Sequence, residues 1–536
     1  MFKFLGKNKV LPSKTDDHLD DNDLYSKLKT KEIDIDQLFK QTELYLDKRS
    51  LNSIFKNQDF FPLVNNEDLT IYKNKIIDFY FNNKNTKRYR QKYGQTYKKI
   101  TINDFNLTSI PESIYSFENL EEITLSDNKL ISIEEGIGNL KKLNKLVVNN
   151  NDLSNSLPNS LPELTYLELS KNNFLNFPLK VFNYTNLKYL DLSKNKLSKF
   201  SNGFSKLTNL NYLDLSNNEL SDLPNDFYNL PNLNYLDLSF NKLSKIHSDF
   251  SELTKLKDLQ LSNNELSDLP NDFYHFPNLK YLNLSFNKLS EIHSNFDLPE
   301  LKDLQLSNNK LSSLPSNFDL PNLKVLNLSN NKLSELPSNF DLPNLEDLYL
   351  SKNSLNIIYY TNFYKLVNLK FLDLSINKLS GFITNLSNSI NIEHLNLNNN
   401  SLRELPDLKK LEKLKNLSVS GNPLERLPTF IELKTDLPNL TIFNYDPIST
   451  EPNENSLVKL NPKKKSQNIE NSLVESKQKT KPNNSYINRF RSFTNIFNTQ
   501  KNNKDEFLDV VTEGGRKTKK KRKIVRKTKR KNKKSK

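Results

Sequence analysis

The sequence predicts an α/β-type repeat solenoid, in which short parallel strands are joined by crossovers of similar length. The first observation behind this is an internal repeat: the string L-x-x-L-x-L-x-x-N-x-L recurs from about residue 97 to 428, at spacings of 21–24 residues. The second is the L-x-L alternation inside it, which reads as a short strand with one face turned inward. The third is the remaining dozen or so residues of each copy, the length that a parallel pair of strands needs for its crossover.

The elements follow in chain order. Residues 1–22 are polar, with acidic residues near Asp16–Asp23, and are expected to be disordered. Residues 23–95 have helical periodicity, seen at Ile35, Leu38 and Phe39, at Leu51, Ile54 and Phe55, and at Ile76, Ile77, Tyr80 and Phe81. They are expected to form a helical N-terminal region or a cap over the first coil, because an open repeat end exposes apolar surface. The solenoid spans 96–446, with about fifteen repeats. Its asparagine position is filled from Asn128 to Asn422, and by Phe105 in the first copy. Each asparagine is expected to bond backbone groups that the turn leaves unpaired inside. A second internal column is expected from Phe182, Phe204, Phe227, Phe250, Phe273, Phe296, Phe318, Phe340 and Phe363. The stretch LPNLTIFNYD (437–446) has strand character without the asparagine and reads as a closing cap strand. Residues 447–515 are rich in Asn, Lys, Ser and Pro and are expected to be a disordered linker. Within them, YINRFRSFTNIF (486–497) is a candidate docking segment.

The formal net charge of +15 is concentrated at one end. Residues 516–536 hold fifteen Lys or Arg and no acid, and the rest of the chain balances at 63 of each sign. There is no cysteine, which excludes disulfides, cysteine-based zinc sites and thiol catalysis. P-loop and kinase signatures are missing, and Gly136-Ile137-Gly138 lacks a third glycine. The five histidines form no pair with metal-ligand spacing, so neither a metal nor a cofactor is expected. No apolar run approaches a membrane span, and the first residues lack the apolar core of a secretory signal. A non-enzymatic, intracellular protein is expected, cytoplasmic or nuclear through its basic tail.

The recurring L-x-x-L-x-L-x-x-N-x-L resembles the leucine-rich repeat family, and the L-P-x-x-F-x-x-L that follows it resembles the 23-residue subclass of Ras-associated and Scribble-type intracellular scaffolds. This resemblance implies a horseshoe with a concave parallel sheet and a role as a protein-interaction scaffold. The Asn/Lys-rich composition and the basic tail resemble those of giant DNA virus or amoebal proteins.

Candidate binding residues come from the third and fifth positions of L-x-x-L-x-L, which point out of the sheet on the same side. The third gives Tyr166, Tyr189, Tyr212, Tyr235 and Tyr281, and the fifth gives Glu168, Asp191, Asp214 and Asp237. Phe240 and Phe286, two positions beyond their strands' last leucine, add apolar contact. Aromatics of this kind anchor interfaces, and the acidic column selects a protein partner with a basic segment. In the alternative reading the tyrosines only stack along the sheet, multiplied by duplication, since 216–261 and 262–306 are near copies. A second function is sequence-independent binding of nucleic acid or another polyanion by the tail, through Arg516, Lys517, Lys519, Lys520, Lys521, Arg522, Lys523, Arg526, Lys527, Lys529, Arg530 and Lys531.

Overall fold

The computed structural model describes residues 43–46, 97–293, 298–358, 363, 365–380, 386–446 and 456–459. The chain divides into two units, Met1–Pro462 and Lys463–Lys536, and every described residue lies in the first. The expectations for the leader, for most of 23–95, for most of the linker and for the tail lie outside the described residues.

The repeat folds as its alternation requires. Strands of mostly three residues pair in parallel, each with the strand of the next coil, from Lys99–Ile102 to Ile442–Tyr445. The expected cap strand is the last of these, Ile442–Tyr445, paired with Asn416–Ser418. Register is constant, so Leu190, Leu213, Leu236 and Leu259 lie opposite one another. Such short strands share few backbone bonds, and leucine packing between coils does most of the stabilising. In one coil Leu210, Leu213, Leu215 and Leu220 are all fully buried, each worth roughly 1.5–3 kcal/mol relative to exposure.

The asparagine ladder forms as expected. Asn264 donates through Nδ2 to the carbonyls of Leu238, Leu261 and Ser262, and its Oδ1 accepts from the Leu243 N–H. The residue before each ladder asparagine has φ between 53° and 58°, from Asp127 to Asn399. Asn and Asp tolerate this left-handed conformation, which explains the frequent S-N-N string.

The crossovers are mainly 3-10 turns, such as Asn225–Tyr228 and Ser248–Glu252, and the helical part of the expected α/β pattern lengthens to an α-helix at Phe430–Asp436, before the cap strand. Pro224 starts one of them with φ already at −71°, and its carbonyl accepts from the Phe227 N–H. Two crossovers are strands instead, Asn317–Asp319 paired with Asn339–Asp341. Phenylalanines pack beneath them, with ring centroids 5.2 Å apart for Phe182 and Phe204, 4.9 Å for Phe204 and Phe227, and 5.8 Å for Phe318 and Phe340. Phe296, expected in this column, lies outside the described residues.

Both ends of the sheet extend past the repeats. Glu43–Leu46 pairs in parallel with Lys99–Ile102, placing a strand in the segment read as helical or capping. Ser456–Lys459, in the segment read as linker, pairs antiparallel with Ile442–Tyr445.

Candidate partner-binding face

In the three-residue strands of the main sheet the middle residue, nearly always leucine, points inward and its neighbours point out, as in Tyr212–Leu213–Asp214. Constant register lines these outer residues into rows. Tyr166, Tyr189, Tyr212 and Tyr235 stack face to face, with centroids 4.1, 4.3 and 4.3 Å apart and planes within 10° of parallel. Strand spacing is close to the distance at which aromatic rings stack, so a row of tyrosines closes on itself. Tyr189 and Tyr212 are thereby only 8% and 9% exposed, which corrects the expectation that they stand free as anchors. Tyr166 and Tyr235, at the ends, are half-buried. Tyr281 has Asp258 and Asp303 as row neighbours and is 42% exposed.

The fold places a cation at one end of this stack: the Lys145 ammonium lies 4.7 Å from the centroid of the Tyr166 ring. Lys145 did not figure among the candidate residues, although the same third-position rule picks it out. Farther along the sheet, Phe371 and His394 of this row form a second aromatic group with Tyr349 of the fifth-position row.

The fifth-position row is acidic, as expected, and it also braces the turns. One carboxylate oxygen each of Asp191, Asp214 and Asp237 accepts the backbone N–H of Ser193, Ser216 and Ser239, at 2.9, 2.9 and 2.8 Å. Glu168 instead accepts from the Tyr166 hydroxyl at 3.0 Å. Burial is the main cause that raises the carboxyls here. Asp214 is held well above the usual range by burial and then by Asp191 and Asp237. Burial pushes Asp237 up to about 6 and, in the third-position row, Asp303 to about 6 and Asp258 to about 7.

Phe240 and Phe286 occupy the left-handed turn position, with φ of 53° and 55°, and are more than half exposed. Most coils place Asn, Asp or Lys there. A bulky residue in this conformation costs roughly 1–2 kcal/mol.

One histidine meets two carboxylates across neighbouring coils. Ligand atoms of Asp268, Glu291 and His293 lie within 4.8 Å of one another at the surface, and His293 Nε2 is 3.1 Å from Asp268 Oδ1. Spacing along the chain misses such groups, because adjacent coils bring together residues some two dozen positions apart. The tail residues Arg516 to Lys531 lie outside the described residues. Among the described residues no helix is long and apolar enough to cross a membrane.

Comparison with known proteins agrees with this architecture. Family models for a leucine-rich repeat region and a leucine rich repeat match residues 179–296 and 321–379. Acidic leucine-rich nuclear phosphoprotein 32 family member A of Drosophila melanogaster is 46% identical over 57 residues, 11% of this chain. The chain spans only 22% of the length of that curated relative. Among solved structures, the Leptospira interrogans leucine-rich repeat protein LIC12759 is 28% identical, with a TM-score of 0.56 over 67% of this chain and 98% of its own. The plant peptide hormone receptor RGFR1, solved in complex with RGF2, is 26% identical, with a TM-score of 0.55 over 66% of this chain and 60% of its own. The repeat, its asparagine ladder and these matches together make the chain a member of the leucine-rich repeat family.

Proposed function

We propose that the protein is a non-enzymatic interaction scaffold, and that the outer sheet face from Tyr166 to Tyr281 binds a protein partner through a basic segment. The observation behind this reading is a group of raised carboxylates, Asp214 and Asp237 in the fifth-position row and Asp258 in the third, beside an aromatic stack that already holds one lysine. Desolvated carboxylates of like sign favour an arriving cation, and aromatic faces add cation–π attraction. The solved relative RGFR1 holds a peptide hormone, which agrees with a peptide-binding role for this fold. Tyr189 and Tyr212 are too buried for truncation to separate binding from folding, so charge reversal is the cleaner test. Glu168→Lys with Asp237→Lys should weaken capture of basic peptides by the full chain, more so at low salt. The same change at Glu425, on a turn at the far end of the array, should have little effect. Equal loss from both would refute the assignment.

The tail supports a second activity, since fifteen cations without an acid attract any polyanion. Deleting 516–536 should abolish nucleic-acid binding and its steep salt dependence, leaving the thermal melt unchanged. Binding retained after deletion would refute this role for the tail.

A further inference from the structure

The tyrosine row is interrupted once and then resumes. Asp258 lies opposite Tyr235 on one side and opposite Tyr281 on the other. Rings on adjacent strands of this row stack 4.1 to 4.3 Å apart, so each ring fills one strand spacing like a plate. Tyr235 and Tyr281 are two strands apart, about 9–10 Å. The position between them holds no ring: the fold supplies the shorter Asp258 there, recessed to 9% exposure. The turn row repeats the pattern on the same strands, with exposed Phe240 and Phe286 on either side of Asn263. At the other end of the stack a lysine of this chain covers the ring of Tyr166. At this end the strand that follows Tyr235 brings Asp258.

We propose that the interruption is a slot for one arginine side chain of the partner, its guanidinium lying between Tyr235 and Tyr281 and paired with Asp258. This rests on the docking reading above and names its anchor. A guanidinium is planar, about as thick as an aromatic ring, and stacks on tyrosine through both faces while its edge donates to a carboxylate. An ammonium meets the charge requirement but does not replace a plate. Asp258 is held in place by Gln260, whose Nε2 donates to its Oδ1 at 2.6 Å. Asp258 lies beside both rings by register; burial raises its carboxyl, and burial first, with neighbouring carboxylates including Asp258 adding to it, raises the phenols of Tyr235 and Tyr281. Asp303 has Tyr281 on one side only, with Val325 on the other, so it forms no such slot.

The test uses the full-length chain and acetyl-arginine amide, read by saturation-transfer NMR on the ligand's methylene protons. Acetyl-citrulline amide, the neutral isostere, is titrated in parallel. Asp258→Tyr completes the row and should weaken arginine binding by about tenfold or more, whereas Asp303→Tyr, the same ring one position outside the slot, should change it by less than about twofold. Tyr281→Leu and Asp258→Asn should each weaken it by about tenfold, and they keep the test open should Asp258→Tyr fail to fold. Citrulline binding equal to arginine, or Asp258→Tyr binding like wild type, overturns the slot. If Asp258→Tyr has no effect while Glu168→Lys with Asp237→Lys still abolishes capture of basic peptides, the slot fails and the docking face stands. If neither has an effect, both readings fall.

Discussion

Replacing Asn264 with leucine removes four hydrogen bonds, but the neighbouring coils cover most of the loss. The Leu238 carbonyl keeps the Asn241 amide at 3.0 Å, the Leu261 carbonyl keeps the Asn287 amide at 3.0 Å, and the Ser262 carbonyl keeps the Phe240 N–H at 2.9 Å. The Leu243 N–H, which donates to Asn264 Oδ1 at 3.0 Å, loses that acceptor inside the array. One orphaned donor costs about 1–3 kcal/mol, and the bulkier side chain adds about 1 kcal/mol or more. Asn264→Asp reverses the pattern. It keeps an acceptor for Leu243 but turns an oxygen toward three carbonyls, leaving a buried unpaired charge worth about 3–5 kcal/mol. Aspartate should therefore be the worse substitution at pH 8 and should recover at pH 5, where protonation restores a donor. Urea unfolding followed by far-UV circular dichroism at both pH values gives the global cost. Hydrogen exchange at the Leu243 amide gives the local one, which matters because a repeat array need not unfold in one step. Wild-type protection of that amide in Asn264→Leu, or the same ranking of the two variants at both pH values, would refute the account of the ladder.

The raised carboxyls give a pH dependence of definite sign. Asp237, Asp258 and Asp303 rise to about 6, 7 and 6 on folding, so the native state binds more protons than the unfolded chain between about pH 4 and 7. The stability they contribute is present at low pH and is lost as pH rises through the folded values. Each tenfold gain in proton affinity on folding is worth about 1.4 kcal/mol. The urea midpoint should therefore fall measurably from pH 5 to pH 8, and Asp258→Asn should flatten the slope; a midpoint that is constant or rises would contradict this. Gly203 has φ of 148°, and an added Cβ would run into the Phe182 ring. Gly203→Ala should therefore destabilise by more than about 1 kcal/mol, with partial rescue by Phe182→Leu in a double-mutant cycle. Simple additivity would show that the clash is not the cause.

The repeat was legible because its causes are local: leucine spacing sets the inward face, and the asparagine returns at one point of every coil. Row membership was legible for the same reason, since Tyr212 and Asp214 had to share a side. What covers a row was not. Alternation says that Tyr189 points outward, but only the spacing of neighbouring strands shows that Tyr166 and Tyr212 bury it. The second role of Asp191, Asp214 and Asp237 in bracing the turns also depends on backbone geometry that composition does not encode. Asp268, Glu291 and His293 meet only across coils. Glu43–Leu46 and Ser456–Lys459 are four residues each, too short for periodicity to mark, and the partner of Glu43–Leu46 lies far along the chain.

The reversed strand at Ser456–Lys459 bears on how such a chain can lengthen. A coil appended after it would meet a neighbour running the wrong way, whereas a unit inserted in the interior makes the same two interfaces as the coils around it. The near-identical stretches 216–261 and 262–306 occupy that interior. Because the copied unit is two coils long, each copy brought one aromatic strand and one carboxylate strand: Tyr235 and Asp258, then Tyr281 and Asp303. One copying event thus produced matched walls two strands apart, with Phe240 and Phe286 repeating them at the turn. Paired surfaces of this kind need no separate selection for symmetry, because the spacing of the coils supplies it.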